Sequence, residues 1–557
     1  MSTINVSKKG LLKQIGKHIG DEELKDKIIS LGVPVEAIKG DEVSVEINPN
    51  RPDLLSEQGL GRALSSLLGA KKGFRKYAIK PGSSEAKVII DKSVEKVRPY
   101  TACAIVKNLK FDDKKIKEMI QVQEKLHVSF GRQRKRVAIG IYPLENIKLP
   151  IYYKAMSPEE IKFRPLESSK VMTGKQILTL HPTGKEYAHL LEGSEKYPVF
   201  IDANNEILSM PPIINSHKTG KVTGKITEVF VECSGFDFRI MQQCLNILVC
   251  VLADMGGIIN SMELDYPDKK RITPNLEPEK MKVDLKYINK LLGLELNESE
   301  LKLCLEKMGY EYDATKKTAL VPTYRTDIIH TVDLAEDVGI AYGYDNIPEI
   351  IPSVATIGKE DELSILCEKF REILIGHGLI EVKSYCLASK DDQNKNCNLE
   401  NELVELKNSQ AEGRNVMRCW LIPSLLRILS ENKHREYPQN IFEVGEIFKL
   451  NPKSETGCEE EVSLAVALSQ EEVDYTKAKQ LIDNLFKTLS LELNVAETNH
   501  ASFIKGRVGK IVVEHMELGV IGELAPDVLN NFSIIMPVSC FEINLIKLQE
   551  LLNKKER

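Results

Sequence analysis

Tyr324-Arg325-Thr326-Asp327-Ile-Ile-His-Thr-Val-Asp333-Leu-Ala-Glu336-Asp337-Val-Gly-Ile-Ala-Tyr342-Gly343-Tyr344-Asp345 is the most informative stretch of this 557-residue chain. Asp333, Glu336 and Asp337 stand at i, i+3 and i+4, so on a regular helix they share an arc of roughly 100°. Leu334, Ala335, Val338 and Ala341 face the other way, toward a core. Asp327 falls where the helix is expected to start, and a carboxylate there would satisfy free backbone N–H groups and the helix dipole. Carboxylates gathered with no His or Cys nearby suit a hard divalent cation, most naturally Mg2+. The competing interpretation is a solvated helix face with an N-terminal cap.

Working outward, this helix closes a unit expected over 269–348, with further helices at Leu285–Leu292 and Ser299–Met308. Upstream, residues 1–80 read as an N-terminal domain. It holds an amphipathic stretch from Leu11 to Leu31, an alternating strand at Val43–Ile47 and a helix from Ser56 to Leu68. Residues 81–268 mix strand-like runs at 102–106 and 137–141 with helical spacing at 114–128 and 242–255. Residues 349–557 alternate helices such as Glu360–His377 with strands such as Ile380–Tyr385, Asn440–Phe448 and Ser463–Leu468. The fold class expected is α+β, in four domains.

Composition narrows the class further. Hydrophobic residues are 42% and charged residues 28% of the chain, an ordinary globular balance. The longest apolar run, Leu245 to Ala253, is broken by Asn246 and is far short of the roughly 20 residues a bilayer span requires. Met1 to Lys9 carries no apolar signal region. Eleven cysteines with no Cys-x-x-Cys fit free thiols rather than a disulfide framework or thiolate zinc site. A cytoplasmic protein without membrane partners is expected. Its net charge of −5 argues against coating nucleic acid through bulk charge. Phosphate-binding, Rossmann, zinc-protease and serine-hydrolase signatures are all missing.

Three other constellations remain. In Asn48-Pro-Asn50-Arg51-Pro52-Asp53, two prolines preset an extended backbone around Arg51. That is either a rigid strand-to-helix turn or an arginine held out for phosphate or a partner's carboxylate. Gly131-Arg132-Gln133-Arg134-Lys135-Arg136 offers four charges in five residues, enough for a few phosphate contacts, though such runs are usually solvated surface. The last spans His181 to Asp237. Pro211-Pro212-Ile-Ile-Asn215 is a rigid apolar wall ending in an amide, and Glu232 and Ser234 share one face of a strand. Apolar walls with a few directed polar groups make a small-ligand site; a loop-rich core edge is the alternative.

Taken together these strings resemble the beta subunit of phenylalanyl-tRNA synthetase, of the archaeal and eukaryotic-cytosolic type, over nearly the whole chain. The strings that carry the resemblance include Asn50-Arg51-Pro52-Asp53, Arg98-Pro99-Tyr100, Gln121 to His127, His181 to Leu191, Leu208 to Asn215 and the acidic helix with Tyr342 to Asp345. Val416-Met417-Arg418, Phe442 to Gly445 and Gly519 to Pro526 continue it. The resemblance implies an N-terminal domain, an α/β editing domain, a small winged-helix-like module and a class II synthetase core (an antiparallel sheet flanked by helices) that has lost its own activity. No Gly-rich segment ending in Glu-Arg occurs in residues 353–557, and Arg418 stands in a Met-Arg-Cys-Trp context. ATP and L-Phe would therefore be handled by an alpha subunit in a two-alpha, two-beta tetramer acting on tRNA(Phe).

The family's Mg2+ set falls on Asp327, Asp333, Glu336 and Asp337. For editing, Glu232 with Ser234 would accept the hydroxyl of a mischarged Tyr, against a wall of Pro211, Pro212 and Asn215. Where the family commonly shows Thr-Gly-Thr-Asp this chain has Ser234-Gly235-Phe236-Asp237, and a Phe there would narrow the pocket. The rival function is a structural or tRNA-binding scaffold with an inactive pocket.

Overall fold

The computed structural model describes residues 2–555 apart from Lys225, Ala355, Gln410 and Glu412. The chain divides into two compact units, Met1–Ile351 and Pro352–Arg557. Both mix α and β structure.

The first unit opens with an antiparallel three-stranded sheet in which Glu42–Ile47 lies between Ser2–Ser7 and Val35–Lys39. The amphipathic stretch expected to run from Leu11 to Leu31 is two helices, Lys8–Ile15 and Asp21–Ser30. Gly16 divides them: at φ 75° it caps the first helix in the left-handed region, which glycine enters without a Cβ penalty. Leu11, Ile15, Leu24 and Ile28 are buried with Val43 and Val45 in one cluster. Ser56 caps the next helix, Glu57–Leu67, by accepting the Gly59 N–H at 2.9 Å.

An eleven-stranded sheet follows. The Val229–Gly235 strand sits between Tyr100–Lys107 and Val137–Pro143 and pairs antiparallel with both along its whole length. Just past that strand, Asp237 caps the Phe238–Asp254 helix, which buries Met241, Cys244, Leu245 and Leu248. The Asp113–Val128 helix runs down to the Gly131–Arg136 loop that feeds Val137–Pro143. A third sheet places Thr318–Val321 between Glu279–Lys282 and Glu311–Asp313, accompanied by helices Leu285–Leu292, Glu298–Lys307 and Thr331–Tyr342. One contiguous apolar cluster extends from Ile4 through Leu248 to Ala341.

The second unit is built on a seven-stranded sheet with long central hairpin partners, Gln439–Leu450 and Cys458–Ser469. Helices Glu362–Gly376, Tyr475–Thr488 and Leu545–Lys555 contribute Phe370, Leu374, Ile482 and Leu548 to one of its cores. The strand expected over Ile380–Tyr385 is shorter: only Ile380–Glu381 pairs, parallel to Ile441–Phe442. Beyond it Ser384 turns its hydroxyl to Glu443 at 2.6 Å. No helix among the described residues is long and apolar enough to cross a membrane.

Candidate functional site

A cavity of about 200 Å³ opens beside the Val229–Gly235 strand, lined by Gln123, Glu124, His127, Arg134, Leu166, Thr183, Pro211, Pro212, Asn215 and Glu232 among others. Pro211, Pro212, Asn215 and Glu232, singled out in the sequence, are thus brought to one place. Glu232 is only 2% exposed. It faces Gly140 across the ladder, and a Cβ on Gly140 would collide with Glu232 Oε1 and the Tyr142 hydroxyl. The missing side chain makes the room into which the carboxyl fits. The Tyr142 hydroxyl lies 3.2 Å from Glu232 Oε1 and 3.3 Å from Asn215 Oδ1. Glu232 Oε2 has no partner. Burial pushes the Glu232 carboxyl up to about 8, against the opposing pull of Tyr142 and Arg98. A buried acceptor left unpartnered is costly, and an acid kept neutral near pH 7 is a common mark of a functional site.

Ser234 shares the face of Glu232 but not the cavity. Its hydroxyl accepts from Arg98 Nε at 3.2 Å, and its carbonyl accepts from Arg98 Nη2 at 2.6 Å. Arg98 is wholly enclosed, and loss of water lowers its pKa to about 10. Ser234 therefore anchors a buried guanidinium, and its hydroxyl proton remains on the Glu232 side to lower that carboxyl's pKa. Phe236, expected to narrow the pocket, is 55% exposed, with the Arg98 guanidinium 5.4 Å from its ring. The strand has ended at Gly235, so Phe236 lies beyond the register that points into the cavity.

The rest of the lining includes residues from two strings quoted for other reasons, Gln121 to His127 and the Gly131–Arg136 cluster. His127 Nε2 accepts the Ile139 N–H at 2.8 Å, which leaves Nδ1 as the protonated nitrogen. Burial lowers the His127 pKa, so the ring is neutral. Glu124, 3.4 Å from His127 Nδ1, is held below the usual carboxylate range by His127 and then by Arg134. Arg134 Nη1 donates to the Ile213 carbonyl at 2.7 Å, and its guanidinium stacks 4.3 Å from the centre of the Tyr187 ring. Glu124 and His127 stand three apart on one helix, a spacing that signals adjacency but not that a distant strand closes over it. The cavity therefore pairs a neutral acid at one side with an ionised carboxylate at the other.

The acidic helix is arranged otherwise than the Mg2+ expectation required. Arg325 Nη2 donates to Asp327 Oδ2 and to Asp337 Oδ2, both at 2.8 Å, so a guanidinium fills the space between those two carboxylates. Asp337 also accepts from the Tyr310 hydroxyl. Despite burial, Arg325 and Arg51 hold the Asp327 carboxyl below its usual range. Asp333 accepts the N–H groups of Ile329 and His330 at 2.8 and 2.7 Å, and Glu336 is exposed. The helix begins at Thr331 behind His330, so Asp327 is not its cap. Among the described residues no three metal-ligating side chains gather, and the four carboxylates as placed do not form a cation site. Arg51 belongs to the same network, paired with Asp53 through two 2.9 Å hydrogen bonds and 3.8 Å from Asp327. It is a buried tie, not an arginine held out for phosphate.

In the second unit Arg418 is fully buried, donating to Glu443 Oε1 at 2.8 Å, to Ser384 Oγ at 2.7 Å and to the Glu446 carbonyl at 2.7 Å. A guanidinium so occupied is not available to a nucleotide phosphate.

Comparisons with known proteins identify the family. The tRNA synthetase B5 domain family matches residues 281–344, the segment of the acidic helix, which marks the chain as an aminoacyl-tRNA synthetase component. The phenylalanyl tRNA synthetase beta chain CLM domain family matches residues 347–545. Phenylalanine-tRNA ligase beta subunits of Pyrococcus furiosus and Methanococcus aeolicus are 40% and 38% identical, each over 98% of this chain and at least 99% of their own. An N-terminal fragment of the phenylalanyl-tRNA synthetase beta subunit from Pyrococcus horikoshii, solved by crystallography, shares 40% identity. It covers 62% of this chain and all of its own, with a TM-score of 0.59. The chain belongs to the phenylalanine-tRNA ligase beta-subunit family.

Proposed function

We propose that the chain works with an alpha subunit, in a two-alpha, two-beta tetramer, to attach L-Phe to tRNA(Phe) with ATP, and that its own cavity hydrolyses tRNA(Phe) mischarged with Tyr. Activation of L-Phe then falls to the alpha subunit, a reading supported by the burial of Arg418. The domain assignment proposed with it is 1–80, 81–268 as the editing domain, 269–348 as the winged-helix-like module, and 349–557 as the inactive synthetase-like core.

The observation that carries the editing reading is Glu232, buried and neutral, with one oxygen unpartnered beside the Pro211-Pro212 wall. An apolar pocket that accepts Phe rejects Tyr only about 100-fold, because one added hydroxyl is poorly excluded. A second site with a buried polar group gains a hydrogen bond from Tyr and leaves that group unpaired with Phe, so it selects Tyr far more strongly. Glu232 would take the phenol, as acceptor through its carbonyl oxygen or as donor through its proton. Glu232 is neutral and Glu124 is engaged with Arg134, so attack of water on the ester relies on positioning. Glu124 is the group whose charge suits the α-ammonium of the amino acid. Of the proposed Mg2+ set only Asp333 and Glu336 are clear of Arg325, and no step is assigned to a metal.

Deacylation of Tyr-tRNA(Phe) by the reconstituted complex tests this. Substituting Glu232→Ala is expected to remove most of the Tyr-tRNA(Phe) hydrolysis while leaving phenylalanylation intact. Unchanged hydrolysis in the variant would dismiss Glu232 as the recognition group. Absence of hydrolysis in the wild type would favour the scaffold alternative.

A further inference from the structure

Three successive residues, Arg132, Gln133 and Arg134, the last of which lines the cavity, have φ of 49°, 52° and 63°. Non-glycine side chains rarely adopt this left-handed region, and a run of three persists only where the surroundings impose it. Here the last turn of the Asp113–Val128 helix does so, its Leu126, His127 and Val128 carbonyls accepting the N–H groups of Gly131, Arg134 and Gln133. The outcome is a fixed fan of cations. Arg134 turns into the cavity wall, as described, and Arg136 lies back over the Phe130 ring at 5.1 Å. Arg132 and Lys135 point to solvent, exposed, and neither forms an ion pair among the described residues. The nearby acids are engaged: Asp237 caps its helix and Glu124 faces Arg134 and His127. On a chain of net charge −5, two unpaired cations held by a strained loop whose Arg134 lines the candidate site call for an anionic partner.

We propose that the Gly131–Arg136 loop is a phosphodiester clamp, in which Arg132 and Lys135 hold the single-stranded 3′ end of the RNA that carries the ester into the cavity. This rests on the reading of the cavity as a site for a tRNA-borne ester. The clamp carries no base selectivity, since phosphate contacts fix position and orientation without reading sequence.

The test uses the complex with its alpha subunit and a fluorescent RNA hairpin ending in a single-stranded 3′ tail, with anisotropy measured at several salt concentrations. Arg132→Ala combined with Lys135→Ala is expected to weaken binding about tenfold and to lower the magnitude of the log affinity against log salt slope by about 1.4, near 0.7 per single-strand phosphate. The control substitutes Lys17→Ala and Lys25→Ala, two exposed lysines on the N-terminal helical segment. It is expected to retain wild-type affinity within about twofold. Unaltered affinity and slope in the loop variant, an equal loss in the control, or no hairpin binding by the wild type would each overturn the clamp. Because binding needs no hydrolysis, a dead editing pocket would sink the proposed function without affecting this result.

Discussion

Replacing Glu232 by glutamine should make the protein more stable at neutral pH, and the size of the gain follows from the site. The folded carboxyl titrates near 8, against 4.5 ordinarily, because burial disfavours its charged form. Below 4.5 the side chain is protonated whether folded or not, and nothing is lost. As pH rises from 4.5 toward 8 the unfolded chain releases the proton and the folded one keeps it, so stability falls, levelling off above 8. At about pH 7 that loss is roughly 3 kcal/mol, and at about pH 4.5 it is under about 0.5 kcal/mol. The introduced amide is neutral throughout and of the same shape as the carboxyl, so Glu232→Gln should recover most of this difference. A chain with two compact units does not unfold in one step. Local opening of the Val229–Gly235 strand, read by amide hydrogen exchange in the complex, is the appropriate measure. The gain in protection should be large at about pH 7 to 8 and small at about pH 4.5. A variant less protected than wild type at neutral pH, or a difference that does not change with pH, would refute the reasoning.

Three further outcomes follow from named contacts. Arg325→Ala leaves Asp327 and Asp337 buried without their guanidinium and should cost about 3–5 kcal/mol, seen as weaker amide-exchange protection of the Thr331–Tyr342 helix. In the wild type, millimolar Mg2+ or its chelation should leave that protection unchanged for the isolated chain; a marked rise with Mg2+ would show that an ion displaces the arginine. Gly140→Ala pushes a methyl group against Glu232 and Tyr142, at an overpacking cost of about 1–3 kcal/mol. It should abolish Tyr-tRNA(Phe) deacylation while phenylalanylation persists, and retained deacylation would mean that the substrate does not reach Glu232.

Much of the fold is legible because local signals and tertiary structure agree. Ser56 before a helical run, the alternation at Val43–Ile47 and the apolar side of the acidic helix all mean the same thing in isolation and in the folded protein. The Leu11–Leu31 stretch misleads for a local reason: apolar spacing carries across Gly16 while the backbone does not. The strand expected over Ile380–Tyr385 is shortened because Ser384 and Glu443 make a side-chain contact that no spacing announces. Half of the cavity is visible in the same way. A carboxylate on an apolar strand and a Pro-Pro wall are local features, and they converge. Glu124, His127 and Arg134 stand in strings quoted for other reasons, and their place in the cavity shows only in contacts with the distant Ile139 and Ile213. Ser234 misleads because Arg98, which claims it, lies 136 residues away in sequence. The acidic helix shows the limit most clearly. Four carboxylates suggest a cation, and the cation the structure supplies to two of them is Arg325, two residues from Asp327 within the same quoted stretch.

Whether the cavity distinguishes one hydroxyl is the point on which the account turns. The direct measurement is the ratio of initial deacylation rates for Tyr-tRNA(Phe) and Phe-tRNA(Phe) with the wild-type complex at equal enzyme concentration. A polar group buried to meet a phenol should favour Tyr by at least about 100-fold, toward the range that hydrogen-bonding sites reach. Equal rates for the two substrates would contradict it.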